Sequence, residues 1–445
     1  MNADNPLFAN PKPLYRIHGG TRLNGLVDIN GSKNASLPIM AACLLNSGEN
    51  VLHNVPDLAD VAVMARVLET LGARVTREDS TMVIDTSGVN NYQTPFELMN
   101  QMRASIYVMG PLLARYGRAK VAMPGGCAIG SRPVDYHIRG LQQMGVSMDI
   151  EHGYMDARCD RLKGVHVYLD FPSVGATANL LMSATLAQGT TIIENAAEEP
   201  HIVDLAWFLR SIGARVRGAG TKTIHIEGVG KLHGAEHDMI PDQIEAGTFI
   251  VAAAVTRGSV TVRRAGIRDL KPILVKLQEA GVSIKESKNE LKVSARKKLK
   301  PVTITTLPHP GFPTDMQPQM MALLTRSDGV SIIRETVWEN RYTHVAEFLR
   351  MGADIKVQGN TAIVVGGGRL VGCEVNAPDL RAGAGLVVAG LAAQNTTTVY
   401  NLDHIDRGYE AFDKRLRALG AEITRETPGD SGALTNGPLL LFLEH

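Results

Sequence analysis

Four parts of the chain carry side chains whose types and spacing suit chemistry on anionic substrates. The first is Gly31-Ser32-Lys33-Asn34, which opens an apolar stretch that runs to about Leu45. A lysine at a helix N-terminus adds its ammonium group to free backbone N–H groups, so this segment predicts an anion site. The segment lacks the GxxxxGK[ST] spacing of a triphosphate-binding loop. A capped helix start without a ligand is the simpler interpretation, and both stay open.

The second part, residues 124–135 with the sequence PGGCAIGSRPVD, combines glycines, a cysteine and an arginine. The glycines free the backbone, and Arg132 supplies a planar fork of donors for phosphate or carboxylate. A thiol beside cations is more acidic than a free thiol, whose pKa is about 8.5, so Cys127 could exchange a proton near neutral pH. An inert buried cysteine is the competing interpretation, and we favour it for the other cysteines of the chain.

The third part, residues 310–317 with the sequence PGFPTDMQ, reads as a stiff turn into a helix, with Asp315 at the helix entry. Asp315 is interpreted either as a helix N-cap or as a carboxylate base on a rigid elbow. The fourth part is a set of arginines in loop-like segments, namely Arg341, Arg381 and Arg407. These guanidinium groups suit a multiply charged substrate if they converge, which the sequence does not show.

These parts belong to a chain with six internal repeats. Each repeat has an apolar residue, three further positions, a glycine and a β-type run, and the glycines recur every 68–73 residues at Gly72, Gly145, Gly213, Gly281, Gly352 and Gly420. We expect each glycine to end an amphipathic helix in the left-handed conformation and to precede a strand. The period exceeds the roughly 20–50 residues of solenoid repeats, so two globular domains of three repeats are favoured over an open array.

Composition excludes several classes of function. The formal net charge of the 445 residues is +1, which gives no support to nucleic-acid or membrane-surface binding. The 4 cysteines lack metal-site spacing, so neither a disulfide framework nor a metal site is expected. The N-terminus does not read as a signal peptide, and we expect a cytoplasmic protein without membrane insertion. The ending Leu443-Glu444-His445 resembles the start of an expression tag and is left out of the fold prediction.

Ten blocks of the chain, in order from about Tyr15 to about Arg425, resemble the enolpyruvyl transferases; they include NGSKNASLPIMAA, PGGCAIGSRPVDYHI, HPGFPTDMQPQ and HIDRGYE. The resemblance implies an α/β fold of two similar domains of inside-out α/β barrel type. Each domain is built from three βαβαββ repeats, and the active site lies in the cleft between them. It also implies that residues 33–240 form the domain of the cysteine loop, and that residues 1–32 with 241–445 form the second.

The branch of the family that this chain resembles transfers the enolpyruvyl group of phosphoenolpyruvate to the 3′-hydroxyl of UDP-N-acetylglucosamine, the first committed step of peptidoglycan synthesis. The implied mechanism is addition and elimination through a tetrahedral intermediate, with no cofactor and no metal. By the resemblance, Cys127 protonates C3 of phosphoenolpyruvate and Asp315 lies beside the attacking hydroxyl. Lys33, Arg132 and Arg407 match the groups that hold the phosphate and the carboxylate.

The resemblance implies a wider set of substrate contacts in the cleft. Asn34 matches a contact to the sugar, and Arg341 and Arg381 match further charged positions. The positions that match the UDP-sugar subsite are Arg103, Arg132, Pro133, Val134, Asp135, Tyr136, Phe171, Pro172, Ser173, Val174, Gly175 and Val337.

Some positions depart from the family pattern. Gln243 stands where an arginine is expected, Glu198 stands where a basic residue is common, and the pair Phe171-Pro172 replaces a more usual pair beside the UDP-sugar subsite. A paralogue with another nucleotide acceptor therefore stays an alternative. A non-catalytic sensor that binds UDP-N-acetylglucosamine is another. A shikimate 3-phosphate enzyme is disfavoured because that class lacks the PGGCAIG loop. The sequence leaves the oligomeric state open.

Overall fold

The structure is a computed structural model that describes residues 12–101, 103–123, 134–295 and 297–427. Three predicted site residues, Cys127, Arg132 and Pro133, lie outside the described residues, as does the tag-like ending Leu443-Glu444-His445. Within the described ranges, no helix has both the length and the apolar character that crossing a membrane requires.

Short strands and helices alternate along the first half of the chain. Its strands are β1 (Leu14–His18), β2 (Asn24–Asp28), β3 (Glu49–His53), β4 (Arg74–Glu78), β5 (Thr81–Asp85), β6 (Arg118–Ala122), β7 (Ser147–Glu151), β8 (Tyr154–Arg158), β9 (His166–Tyr168), β10 (Thr190–Glu194), β11 (Arg215–Arg217), β12 (Thr223–Glu227) and β13 (Glu236–Asp238). Its α-helices are α1 (Lys33–Ala42), α2 (Ala59–Thr70), α3 (Phe96–Gln101), α4 (Met109–Tyr116), α5 (Asp135–Gln143), α6 (Val174–Ala184) and α7 (Pro200–Ser211).

The second half repeats this alternation. Its strands are β14 (Ser259–Arg263), β15 (Ser283–Ser287), β16 (Glu290–Ser294), β17 (Thr303–Thr305), β18 (Val330–Arg334), β19 (Asp354–Gln358), β20 (Thr361–Val365), β21 (Glu374–Asn376), β22 (Thr396–Tyr400) and β23 (Glu422–Glu426). Its α-helices are α8 (Gln243–Val255), α9 (Lys271–Glu279), α10 (Gln317–Leu324), α11 (Val345–Arg350), α12 (Leu380–Ala392), α13 (Leu402–Ile405) and α14 (Phe412–Ala418). Short 3₁₀ turns lie at Cys43–Leu45, Arg103–Val108 and Thr314–Met316.

The strands form small sheets that share one plan. A first strand runs parallel to a second, and the third and fourth strands follow antiparallel, as in the order β9–β10–β12–β11. The sheet β6–β8–β7 has three strands, and an isolated parallel bridge between Gln93 and Lys120 takes the place of the first strand. Other sheets are completed from far along the sequence, since β13 pairs with β3, β2 pairs with β14, and β1 lies between β22 and β23.

Two hydrophobic clusters lie inside these sheets. The N-terminal core draws its residues from 35–239, and the C-terminal core draws its residues from 15–29 and 244–423. Helices α6, α8 and α12 are buried along nearly their whole length, as expected of helices that are apolar on every side. These three helices therefore lie inside, with the sheets around them, as in the inside-out α/β arrangement. Within the described residues the sheets remain separate and do not join into one closed ladder.

The repeat glycines adopt the predicted conformation. All six have a positive φ, from +83° at Gly352 to +103° at Gly213. Each follows an α-helix and precedes a strand, for example α7 and β11 on the two sides of Gly213. Glycine adopts this conformation without the steric cost of a Cβ, so the prediction from the repeat pattern is confirmed.

The chain passes between the two cores at two neighbouring segments. The Ser32 N–H donates to the Ile240 carbonyl at 2.7 Å, and the Asp242 N–H donates to the Asn30 carbonyl at 2.9 Å. Between these bonds, a Cβ on Gly31 would lie 1.7 Å from the Asn54 carbonyl oxygen, so this crossing requires glycine. The domain boundaries at 33–240, and at 1–32 with 241–445, stay a prediction.

Candidate active site

The N-terminus of α1 carries the first cluster of charged side chains. Ser32 caps the helix, and its Oγ accepts the Ala35 N–H at 3.3 Å. The next residue, Lys33, places its Nζ 2.8 Å from Oδ2 of Asp60 in the first turn of α2. Arg407, after α13, donates its Nε to Oδ1 of the same carboxylate at 2.8 Å. Asp60 therefore orients two cations that come from distant parts of the sequence.

Exposure differs within this Asp60 cluster. The side chain of Asp60 is 3% exposed, whereas those of Lys33 and Arg407 are 12% and 35% exposed. Burial lowers the pKa of Lys33, and the charges of Arg381 and Arg407 lower it further, while Asp60 raises it. The carboxylate thus lies beneath the cations, and the accessible face of the cluster is positive.

Asp315 is the centre of a second cluster. It lies in the 3₁₀ turn Thr314–Met316 ahead of α10, whose N-cap position is Met316, so Asp315 is not the helix cap that the simpler interpretation suggested. Arg341 Nη2 lies 3.1 Å from its Oδ1, and Arg381 Nε and Nη2 both lie 3.1 Å from its Oδ2. Asp315 is 29% exposed, but the side chains of Arg341 and Arg381 are only 2% and 4% exposed.

A buried glutamate fixes the turn that carries Asp315. Glu335 accepts the Thr306 hydroxyl at 2.7 Å and the Thr314 hydroxyl at 3.0 Å. It also accepts the Val337 N–H at 2.9 Å. The strand before the turn, the turn itself and the loop after β18 are therefore held by one carboxylate. This contact places Val337, a predicted UDP-sugar contact, close to the segment that carries Asp315.

Asp242 connects the start of α1, which carries Lys33, to the start of α8. As the N-cap of α8, it accepts the N–H groups of Ile244 and Glu245 on Oδ1 at 2.8 and 3.0 Å. Its Oδ2 accepts the Lys33 backbone N–H at 3.1 Å. The N-termini of α1 and α8 therefore share one carboxylate at the point where the chain crosses between the cores.

The predicted UDP-sugar positions lie around the N-termini of α5 and α6. Ser173 caps α6 through Ala176 N–H at 3.4 Å, with Val174 and Gly175 as the first helical residues. Arg139 joins the two helix starts, since it contacts Asp135 at 2.7 Å and Asp170 at 3.3 Å. The described members are Val134, Asp135, Tyr136, Phe171, Pro172, Ser173, Val174 and Gly175.

Two of the remaining predicted positions, Asn34 and Arg103, lie near the starts of helical segments. Asn34 is the second residue of α1 and is half-buried, and Arg103 is the first residue of a 3₁₀ turn. Cys127, Arg132 and Pro133 lie outside the described residues, so the structure does not place them in the site.

The two cores touch on both sides of the cleft. On one side, the Ala59 N–H donates to the Asp406 carbonyl at 3.2 Å, beside the Asp60 cluster. On the other, the His309 N–H donates to Glu199 Oε1 at 3.3 Å. A cavity of about 510 Å³ opens beside the second contact, between residues 195–198 and residues 307–311, and it reaches Pro172. Both charged clusters therefore lie close in sequence to segments where the two halves of the molecule contact each other.

Comparison with known proteins identifies the family of this chain. A family model described as EPSP synthase (3-phosphoshikimate 1-carboxyvinyltransferase) matches residues 17–416. The chain belongs to this enolpyruvyl transferase family. Among curated relatives, UDP-N-acetylglucosamine 1-carboxyvinyltransferase 2 of Carboxydothermus hydrogenoformans is 53% identical over 413 residues, which are 92% of this chain and 99% of the relative. UDP-N-acetylglucosamine 1-carboxyvinyltransferase 1 of Caldanaerobacter subterraneus subsp. tengcongensis is 52% identical over 415 residues, 93% of this chain and 100% of the relative.

Solved structures agree with this assignment. The enolpyruvyl transferase NikO from Streptomyces tendae has a TM-score of 0.86 at 28% identity, covering 94% of this chain and 99% of NikO. An EPSP synthase from Acinetobacter baumannii has a TM-score of 0.74 at 18% identity, covering 93% of this chain and 100% of the other, which shows the shared fold alone. The enolpyruvyl transferase fold predicted from the sequence is therefore confirmed.

Several residues of the candidate site were missed by reasoning from the sequence. Asp60 reads as an ordinary acidic residue in the first turn of an amphipathic helix, where it would favour the helix dipole. Asp242 reads as an N-cap, which it is, and nothing in its sequence context indicates the bond to Lys33. Glu199 and His201 flank a proline at a helix start and give no signal of a site. Only the packing of the two cores brings these groups to the cleft.

Proposed function

We propose that this chain transfers the enolpyruvyl group of phosphoenolpyruvate to the 3′-hydroxyl of UDP-N-acetylglucosamine and releases phosphate, the first committed step of peptidoglycan synthesis. The names of the full-length relatives at 52–53% identity supply the acceptor. The observation that carries the chemistry is the contrast between the two clusters. One presents cations to the cleft, and the other presents a carboxylate.

The cationic cluster suits phosphoenolpyruvate. Lys33 and Arg407 hold the phosphate and carboxylate of this substrate, with Arg132 as a third cation. Charge-assisted hydrogen bonds to phosphate are among the stronger polar contacts in proteins. The same cations stabilise the charge that develops on the phosphate as it leaves.

The carboxylate cluster suits the acceptor. Cys127 protonates C3 of phosphoenolpyruvate, C2 becomes electrophilic, and the 3′-oxygen of the sugar attacks C2 while Asp315 accepts the hydroxyl proton. The tetrahedral intermediate then loses phosphate from C2 and a proton from C3. The product is the enolpyruvyl ether. Arg341 and Arg381 hold the Asp315 carboxylate in place for the attack.

The starts of α5 and α6 suit the nucleotide. Free N–H groups at the N-terminus of α6 favour an anionic diphosphate. The positions proposed to contact the acceptor are Val134, Asp135, Tyr136, Phe171, Pro172, Ser173, Val174 and Gly175, together with Asn34, Arg103 and Val337. We also propose that the two halves, 33–240 and the remainder, close as domains on the bound substrates in the cytoplasm.

Phosphate release tests the proposal. Purified protein is given phosphoenolpyruvate with either UDP-N-acetylglucosamine or shikimate 3-phosphate, and the Cys127→Ala variant is assayed alongside. We expect release with the UDP-sugar alone and a strong loss in the variant. The matched control is Cys159→Ala, since Cys159 is a half-buried thiol after β8 and should leave the rate unchanged. Saturable binding of the UDP-sugar without phosphate release would favour the non-catalytic sensor instead.

A further inference from the structure

The start of α7 carries two polar side chains, the half-buried Glu199 and the buried His201. Glu199, the N-cap residue, accepts the His309 N–H on Oε1 at 3.3 Å. Its Oε2 is buried and has no hydrogen-bond partner among the described residues. Buried polar atoms in native structures are nearly always hydrogen-bonded, and an unmade bond at such a site is costly. Glu199 therefore has one acceptor atom without a partner among the described residues.

His201, in the first turn of α7, is the second polar side chain at this helix start. Its side chain is 8% exposed. The charged or titratable groups that act on it, Asp315 and His309, both lie in the second half of the chain, across the cleft. Burial lowers the pKa of His201 to about 4, so the ring is neutral at pH 7. A neutral imidazole offers one N–H donor and one nitrogen acceptor.

The location of these groups restricts what they can bind. His201 lies within the electrostatic reach of Asp315, the carboxylate proposed to face the attacking hydroxyl. The neighbouring residues Glu198 and His309 line the 510 Å³ cavity, which extends to Pro172 at the proposed nucleotide subsite. A carboxyl and a neutral imidazole are poor ligands for phosphate but good ligands for hydroxyl and amide groups.

We infer that Glu199 and His201 form a subsite for the uncharged sugar of the acceptor, with Glu199 Oε2 accepting a hydrogen bond and the His201 ring making a second. The pair holds the sugar so that its reactive hydroxyl faces Asp315. This inference rests on the proposed function, and it names positioning residues for the acceptor and not for phosphoenolpyruvate.

Steady-state kinetics of His201→Ala and His201→Gln test the subsite. We expect KM for UDP-N-acetylglucosamine to rise about tenfold in His201→Ala, the factor for one lost hydrogen bond of typical strength. The KM for phosphoenolpyruvate should stay within about twofold, and His201→Gln, which keeps a donor and an acceptor, should recover part of the loss. The control His225→Ala removes an exposed histidine on β12 and should change neither constant.

Calorimetric binding separates this subsite from a general folding defect. UDP lacks the sugar, so its Kd should be the same for wild type and His201→Ala, whereas the Kd of UDP-N-acetylglucosamine should rise. Glu199→Gln should show the same pattern, because its amide cannot offer acceptors at both positions. Equal losses for UDP and the UDP-sugar, or no change for either, would overturn the inference.

The two proposals fail separately. If wild type releases phosphate with the UDP-sugar but His201→Ala binds it normally, the subsite is wrong and the function stands. If wild type shows no turnover yet sugar-dependent binding is lost in His201→Ala, the subsite stands and the function is wrong.

Discussion

The Asp60 and Asp315 clusters contain the same kinds of charged groups but differ in which charge is buried. Each joins one carboxylate to two cations at 2.8–3.1 Å. In the first, the carboxylate is buried and the cations Lys33 and Arg407 are more exposed. In the second, the cations Arg341 and Arg381 are buried and the carboxylate of Asp315 is partly exposed. The difference decides which charge a substrate meets.

Electrostatics explains why both arrangements of buried and exposed charge are stable. A buried charge must be paired, because removing an ion from water costs several kcal/mol. The buried carboxylate of Asp60 is paired with Lys33 and Arg407, and these two cations can still bind an anion. The buried guanidinium groups of Arg341 and Arg381 are paired with Asp315, and this carboxylate can still accept a hydroxyl proton. One principle of pairing thus produces a binding surface in one place and a base in the other.

The largest expected effect is on Asp315. In Asp315→Asn the amide keeps the shape but cannot accept the hydroxyl proton, and loss of a general base typically costs about 10²–10⁴-fold in rate. We expect kcat to fall within that range while the Kd for UDP-N-acetylglucosamine changes little, as measured by phosphate release and calorimetry. Asp328→Asn, at an exposed ion pair with Lys298, is the control. An unchanged kcat would remove Asp315 from the chemistry.

The second effect concerns stability and separates the clusters. Arg381→Ala removes a buried partner of Asp315, and breaking a buried pair costs about 3–5 kcal/mol in unfolding free energy. We expect a loss near the low end of this range, since Asp315 keeps Arg341 and some solvent. Arg407→Ala removes a partly exposed side chain, so its loss should be much smaller. Urea denaturation of both variants measures the difference, and equal losses would contradict the contrast in burial.

The third effect concerns substrate binding. Arg407→Ala should raise KM for phosphoenolpyruvate about tenfold or more, because a charge-assisted hydrogen bond contributes roughly 1.5–3 kcal/mol. The KM for the UDP-sugar should change less, since the neighbouring α6 subsite is untouched. Arg425→Ala is a matched control, because Arg425 makes an ion pair with Asp406 close by in sequence but lies on β23. A larger effect on the UDP-sugar would reverse the assignment of the cluster.

Much of the fold could be predicted because it depends on local rules. The repeat glycines end helices wherever a left-handed residue is needed, and the apolar stretch after Lys33 forms α1 as expected. The α/β class and the family followed from motifs that extend over nearly the whole chain. These features are set by neighbours in the sequence, so the sequence carries them directly.

The partners of the site residues could not be predicted in the same way. Lys33 and Arg407 are 374 residues apart, and Asp60 joins them only because the two cores pack together. Asp315 was expected either as a cap or as a base, and the 3₁₀ turn that makes Met316 the N-cap of α10 excludes the cap. Exposure, which distinguishes the two clusters, is a property of packing between distant segments.

The smallest expected effect is a shift in pH dependence at the Asp60 cluster. Burial lowers the pKa of Lys33, and Asp60 is the neighbour that raises it again. Asp60→Asn removes that contribution, so the pKa of Lys33 falls further and its ammonium loses the proton at a lower pH. The pH profile of kcat/KM reports on the free enzyme. The fall in kcat/KM for phosphoenolpyruvate at alkaline pH, which is the alkaline limb of the profile, should therefore begin at a lower pH in Asp60→Asn, with little change at neutral pH.

A thiol at Cys127 that must stay protonated could produce an alkaline limb as well, so the limb needs an assignment. In Lys33→Arg the guanidinium stays charged throughout the accessible range, and a limb that comes from Lys33 should disappear. A limb that comes from Cys127 should persist in Lys33→Arg and should stay in place in Asp60→Asn. Disappearance in one variant with a downward shift in the other would show that the buried carboxylate keeps the anion-binding lysine charged. Asp60 would then act by keeping Lys33 protonated, whereas Asp315 is proposed to accept the proton of the substrate hydroxyl itself.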